Sequence, residues 1–258
     1  MTLNELSPSQ RDWFIGTLFG LTYPVYCTTG IHDFDYHFIG SGFLLQWEER
    51  LFFLLTAHQV KLARNETIFF SAKAGEKCIR LDQGKVLMFE GSDVVISELN
   101  TQEEFSELKP VQLPMLRQLD NVEGPEYVVA GYQQVLNAVD WENKRIRPIP
   151  GGVVAHSIKH GQGCDSIELD LSNVSIGILP AFRTFEDLTQ GLSGSPVFAL
   201  KINSATETTA NVEMCLLGIA THVSETNRKL YLTRTFELLS CLNSGFKVFA
   251  EFEAMEKK

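Results

Sequence analysis

Three short segments hold side chains whose types suit nucleophilic catalysis. Gly191-Leu192-Ser193-Gly194-Ser195-Pro196 sets a serine between two glycines, ahead of a proline and the apolar pair Val197-Phe198. Such a serine can sit on a tight turn with its hydroxyl exposed and neighbouring N–H groups free to converge, as an activated nucleophile beside an oxyanion hole requires. Alone, the pattern equally describes an ordinary glycine–serine hairpin turn. Leu54-Leu55-Thr56-Ala57-His58-Gln59-Val60 ends the apolar run Leu51 to Leu55 in two small residues and a histidine, a rigidly held candidate base. Ser92-Asp93-Val94-Val95-Ile96 opens a further apolar run with a carboxylate; in most proteins an aspartate there is a turn residue.

Short strands must position these groups. Runs of β-branched and aromatic residues broken by Gly, Pro, Asn and Asp predict strands at 22–27, 38–46, 51–56, 67–72, 85–89, 94–98, 126–131, 135–140, 153–156, 166–171, 196–201, 212–221 and 229–233. Helical periodicity is convincing only near the ends. Ser7 caps a helix with Pro8 at its first position and Trp13, Phe14 and Leu18 on one face; Thr235 caps another carrying Phe236, Leu239 and Leu242. Many short strands between terminal helices indicate an all-β barrel or sandwich architecture rather than alternating β/α units. The length of 258 residues suits two barrels, with the best seam at 100–125, where Pro110, Pro114, Gly124 and Pro125 interrupt the pattern.

Composition removes other classes. With 22 Lys+Arg against 32 Asp+Glu the net charge is −10, which disfavours nucleic acid and anionic membranes and favours basic partners. Cys27, Cys78, Cys164, Cys215 and Cys241 are odd in number and form no C-x-x-C pair, so they read as buried thiols in a reducing compartment. The N-terminal residues lack a secretory pattern and no apolar run reaches the ~20 residues of a membrane span, so a cytoplasmic location is expected. His32-Asp33-Phe34-Asp35-Tyr36-His37 reads as a polar hairpin loop rather than a metal site, and His156 and His160 as part of a glycine-rich surface turn. The acidic end, Glu251 to Lys258, reads as a solvated terminus.

In the order His58, Asp93, Ser193 on an all-β background, the three segments together match a Ser-His-Asp hydrolase. Supporting text comes from Gly40-Ser41-Gly42-Phe43-Leu44-Leu45, Tyr127-Val128-Val129-Ala130-Gly131-Tyr132 and Leu216-Leu217-Gly218-Ile219. Over about residues 20 to 245 the sequence resembles the trypsin-like (chymotrypsin-fold) serine peptidases, particularly the bacterial branch related to the high-temperature-requirement proteases. That resemblance implies two six-stranded antiparallel β-barrels with short terminal helices: an extension at 1–19, a first barrel at 20–115, a second at 116–245 and a tail at 246–258.

It also implies roles. Ser193 would attack a peptide carbonyl, His58 would take its proton and return it to the leaving amine, and Asp93 would hold the imidazole tautomer. The N–H groups of Gly191 and Ser193 would form the oxyanion hole. Ser195 is the competing nucleophile, and Asp82 and Asp120 are rival acids, neither followed by an apolar run like Val94-Val95-Ile96. Asp187, six residues before Ser193, would floor the specificity pocket and select Arg or Lys. Gln190 would line the pocket, Thr221 would offer its carbonyl to the substrate backbone, and His222 would line neighbouring pockets, with acidic or amide specificity as the alternative. No cofactor and no metal are implied. The His58 turn lacks the flanking cysteine whose disulfide staples that loop in secreted members. Leu192, in place of an acid able to bind a freed amine, argues against zymogen cleavage of the usual kind.

The expected partner is a protein or peptide substrate. Two other readings stand beside an active endopeptidase: a catalytically silent trypsin-fold module that captures peptides in the same groove, and a dedicated processing protease of a bacterial stress or immune operon. The latter rests on the lack of room for an appended peptide-binding module and expects an activating partner protein.

Overall fold

The computed structural model describes residues 2–28, 30, 35–64, 66–72, 77–82, 84–99, 108–112, 126–134, 137, 139–140, 142, 145–146, 148–155, 158–160, 165–168, 189–206, 209–224, 226 and 229–256. After helix α1 (Pro8–Phe19) come strands β1 (Thr22–Thr28), β2 (Tyr36–Trp47) and β3 (Arg50–Leu55), helix α2 (Ala57–Ala63), then β4 (Thr67–Ala72), β5 (Lys77–Arg80), β6 (Lys85–Phe89) and β7 (Val94–Leu99). These strands form one antiparallel sheet in the order β5-β4-β1-β2-β3-β7-β6. The chain continues through β8 (Glu126–Tyr132), β9 (Val139–Asp140), β10 (Arg145–Ile146), β11 (Pro150–Ala155), β12 (Ile158–His160), β13 (Asp165–Glu168), β14 (Pro196–Ala205), β15 (Ala210–Ser224) and β16 (Lys229–Arg234), ending in α3 (Thr235–Glu256). A second antiparallel sheet runs β11-β8-β14-β15-β16-β13-β12, while β9 and β10 pair separately.

The all-β, two-sheet architecture is therefore present, with seven strands per sheet where six were expected. The additional short strands β5 and β12 carry no continuous apolar run, which hid them from a periodicity reading. Most of the expected seam at 100–125 lies outside the described residues; Val111 within it bridges to Leu45 of the first sheet.

Both faces of the central strands are buried, so their sequences read as unbroken apolar runs rather than alternations. Phe52 and Leu54 of β3 join a core shared by both sheets, with Val128 and Phe198 from the second sheet and Phe14, Leu18, Leu238 and Leu242 from α1 and α3. Their neighbours Phe53 and Leu55 point the other way, into the first sheet's own interior. Val129 and Val197 do the same in the second. A one-residue slip would exchange these two cores, which pins the register that sets the turns carrying His58, Asp93 and Ser193.

The terminal helices depart from expectation in their faces. Ser7 accepts from the Gln10 N–H at 3.4 Å and Gln10 Oε1 accepts from the Ser7 N–H at 3.1 Å, the capping foreseen. The buried face of α1 is Phe14, Ile15 and Leu18, whereas Trp13 is 71% exposed. In α3 the buried apolar side chains among the described residues include Leu238, Cys241 and Leu242; Phe236 is 52% exposed, beneath the Arg234 guanidinium. At 22 residues α3 is not short, and the expected tail is helical through Glu256.

Candidate active site

His58 sits inside the first turn of α2, directly after Thr56 and Ala57, instead of on the simple turn expected. Asp93 adopts the left-handed region (φ 52°) where a short 3-10 turn meets β7. Because β3 pairs with β7, Leu55 opposite Val95, the residues following one strand and preceding the other meet. The Asp93 carboxylate then accepts twice from His58, at 2.9 Å from its backbone N–H and at 2.7 Å from ring Nδ1. The Asp93 carbonyl accepts from the Ala57 N–H at 3.2 Å. A carboxylate only accepts, so Nδ1 carries a proton, and in the neutral form of the ring that tautomer leaves the lone pair on Nε2.

The Ser193 turn crosses to the second sheet. Its backbone can be accounted for bond by bond. Leu192 N–H donates to the Thr189 carbonyl (3.1 Å), Gly194 N–H to Ala220 (2.8 Å) and Ser195 N–H to Leu192 (2.9 Å). Among the described residues, no acceptor faces the N–H groups of Gly191 and Ser193. The adjoining peptide planes are fixed: the Gln190 carbonyl accepts from the Gln134 N–H at 2.7 Å, and the Gly191 carbonyl accepts from Ser41 Oγ at 2.9 Å. In a trans peptide the N–H points opposite its carbonyl, so holding the Gln190 carbonyl aims the Gly191 N–H the other way. Gly191 has φ +96°, and a Cβ there would lie 2.6 Å from the Tyr132 carbonyl and 2.7 Å from the Phe38 ring.

Ser193 Oγ donates to the Thr221 carbonyl of β15 at 3.0 Å, the acceptor anticipated for the substrate backbone. His58 and Ser193 line one cleft of about 680 Å³, together with Gln190, Gly191, Thr221 and His222. The His222 ring stacks on Tyr231, centroids 4.4 Å apart and planes 7° apart. The structure thus brings His58, Asp93, Gly191, Ser193, Gln190, Thr221 and His222 to one place. Asp187 lies outside the described residues, as does the rival Asp120.

The other rivals sit elsewhere. Asp82 is exposed and accepts from Arg80 Nε at 2.9 Å, which holds its carboxyl below the usual range. Ser195 is fully buried against Gly131, its hydroxyl without a partner among the described residues. His37 bonds Asp35 at 3.0 Å, and no group of three or more His, Cys, Asp or Glu gathers among the described residues. No helix among them is long and apolar enough to cross a membrane.

Sequence reasoning missed Ser41, Gln59 and Gln134. Ser41 is fully buried and also accepts from the Tyr132 N–H at 2.9 Å, tying β2 to β8. Its signal was present as a polar residue between two glycines ahead of an apolar run. Gln134 acts through its backbone, which leaves no mark in side-chain type.

No protein-family model matches the sequence. No curated protein matches it. Among solved structures the chain is similar to the protease of tobacco vein mottling virus, with a TM-score of 0.47 and 12% identity over 85% of this chain and 79% of that one.

Proposed function

We propose that this protein is a serine endopeptidase of the trypsin-like type, working through an acyl-enzyme on Ser193. His58 Nε2 removes the hydroxyl proton as Oγ adds to the scissile carbonyl carbon. The carbonyl oxygen becomes an oxyanion received by the N–H groups of Gly191 and Ser193. As the C–N bond breaks, the imidazolium returns its proton to the leaving amine, and water repeats the sequence to free the acid and restore Oγ–H. Asp93 stays ionised and orients the ring.

One observation carries this reading: within 191–195 only the N–H groups of Gly191 and Ser193 are unspent among the described residues, in a cleft shared with a histidine held on Asp93. Digestion of a denatured-proteome peptide library tests it. Wild type is expected to generate new termini that Ser193→Ala does not, and equal digestion by both would refute it. The same data read the cleaved position: Arg or Lys supports Asp187 as the pocket floor, while Gln, Glu or an apolar residue replaces that assignment.

The bond from Ser193 Oγ to Thr221, in place of one to His58, favours a second reading, a silent peptide-binding groove. On the first reading that bond is the resting position of the hydroxyl, displaced when substrate N–H pairs with the Thr221 carbonyl. Peptide binding by wild type without cleavage would select the groove. Membership of the bacterial high-temperature-requirement branch belongs to the same proposal and rests on sequence motifs alone; a processing role in a stress or defence operon and an activating partner are carried with it.

A further inference from the structure

Gln59 follows the candidate base and is completely buried, with 0% of its surface exposed. A buried primary amide demands partners for two N–H protons and a carbonyl oxygen, and every one it finds belongs to the two catalytic turns or the strand between them. Nε2 faces the carbonyls of Ser41 at 3.0 Å, Ser193 at 3.1 Å and Ile39 at 3.4 Å. Oε1 accepts from the N–H and the hydroxyl of Thr56, both at 2.8 Å. The donor side meets only acceptors and the acceptor side only donors, which fixes the amide orientation.

Room for this side chain is made by one glycine on β2 and one on the Ser193 turn. A Cβ at Gly40 (φ +139°) would meet Gln59 Nε2, and one at Gly194 (φ +85°) would stand 2.8 Å from Gln59 Oε1. The Ser193 carbonyl is thereby held twice, by Gln59 Nε2 and by the Ser41 N–H at 2.9 Å. Thr56 adds a chemical consequence. Its Oγ1 lies 3.3 Å from His58 Nε2, so a hydroxyl proton turned toward the ring would occupy the lone pair that must receive the serine proton. Gln59 Oε1 takes that proton instead.

We infer that Gln59 is a positioning residue: its amide fixes the nucleophile's backbone relative to the base, and its oxygen keeps the Thr56 hydroxyl off His58 Nε2. The inference rests on the peptidase reading of this site. Gln59→Met keeps the length and removes the amide. At a temperature where circular dichroism shows wild type and variant fully folded, kcat is expected to fall roughly 100-fold with KM nearly unchanged, the scale of a misplacement of about 1 Å. Adding Thr56→Val is expected to restore part of that loss, which damage to folding alone would not allow.

Unchanged kcat, or no recovery from the second substitution, overturns the inference while leaving the peptidase reading intact. Failure of wild type to react with a fluorophosphonate defeats that reading instead. Should Gln59→Met not fold, wild type labelled with ¹⁵N-glutamine decides: the Gln59 side-chain protons should resist solvent exchange and shift when the fluorophosphonate modifies Ser193. Fast exchange, or no shift on modification, contradicts the inference.

Discussion

The two walls of the cleft are built differently. On the first sheet, the proposed base His58 and acid Asp93 are a local unit: α2 starts where β3 ends, Asp93 precedes the adjacent strand, and two bonds from one residue to the other complete the pair. On the second sheet, the Ser193 turn is held by bonds within that half, to Thr189, Ala220, Gln134 and Thr221, and also by bonds that cross from the first sheet, from Ser41 and Gln59 to the carbonyls of Gly191 and Ser193. Acid–base geometry can thus survive changes that scatter the nucleophile and the oxyanion donors. On the peptidase reading, catalytic competence depends on how the sheets dock, and that docking is done by the shared apolar core and a few buried polar bonds.

The largest expected effects test the first wall. His58→Ala should lower kcat by roughly 10⁵- to 10⁶-fold and Asp93→Asn by about 10⁴-fold, since the latter keeps the shape and loses the tautomer control. Steady-state rates on one peptide check this, and a mild Asp93→Asn would show that the pair is not the acting unit. Next comes a tie across the walls. Ser41→Ala leaves the Gly191 carbonyl and the Tyr132 N–H unpaired at a fully buried site, so unfolding in urea should show a loss of about 1–3 kcal/mol. The activity loss should exceed the unfolded fraction, because the Gly191 peptide is freed.

The first sheet's interior gives a smaller, pH-dependent test. Burial, followed by a bond with Glu66, pushes the Cys27 thiol up to about 12 from an ordinary 9.0. A folded-state value above the unfolded one means stability is complete below about pH 9 and declines as pH rises toward 12, where the folded thiol ionises too. Buried Tyr23, Tyr26 and Tyr132 are raised by burial as well and add to the decline above pH 10. Cys27→Ala should flatten the pH 9–12 part of the melting-temperature profile; an unaltered slope would place the alkaline sensitivity in the tyrosines. The smallest effect is expected at Ser195. Its hydroxyl is buried without a partner among the described residues, so Ser195→Ala should change stability by less than about 1 kcal/mol and leave activity intact. Lost activity would make it the nucleophile.

Much of this was legible in the sequence because buried strands carry long apolar runs and catalytic turns carry glycines. The Gly191-x-Ser193-Gly194 turn and the Asp93 strand start lie where the sequence put them, whereas His58 lies inside the first turn of α2. The faces of α1 and α3 did not, because a helix that meets two sheets at a corner buries the stripe the docking selects and leaves Trp13 and Phe236 outside. Gln59 was illegible for another reason. A polar residue beside a histidine reads as surface until its carbonyl partners, one of them 134 residues away, are in place.

The most direct test is the site of modification by a fluorophosphonate, mapped by mass spectrometry of the digested protein. A single adduct on Ser193, absent from His58→Ala under the same exposure, is the predicted result. An adduct on Ser195, or labelling of Ser193 at an undiminished rate without His58, would contradict it.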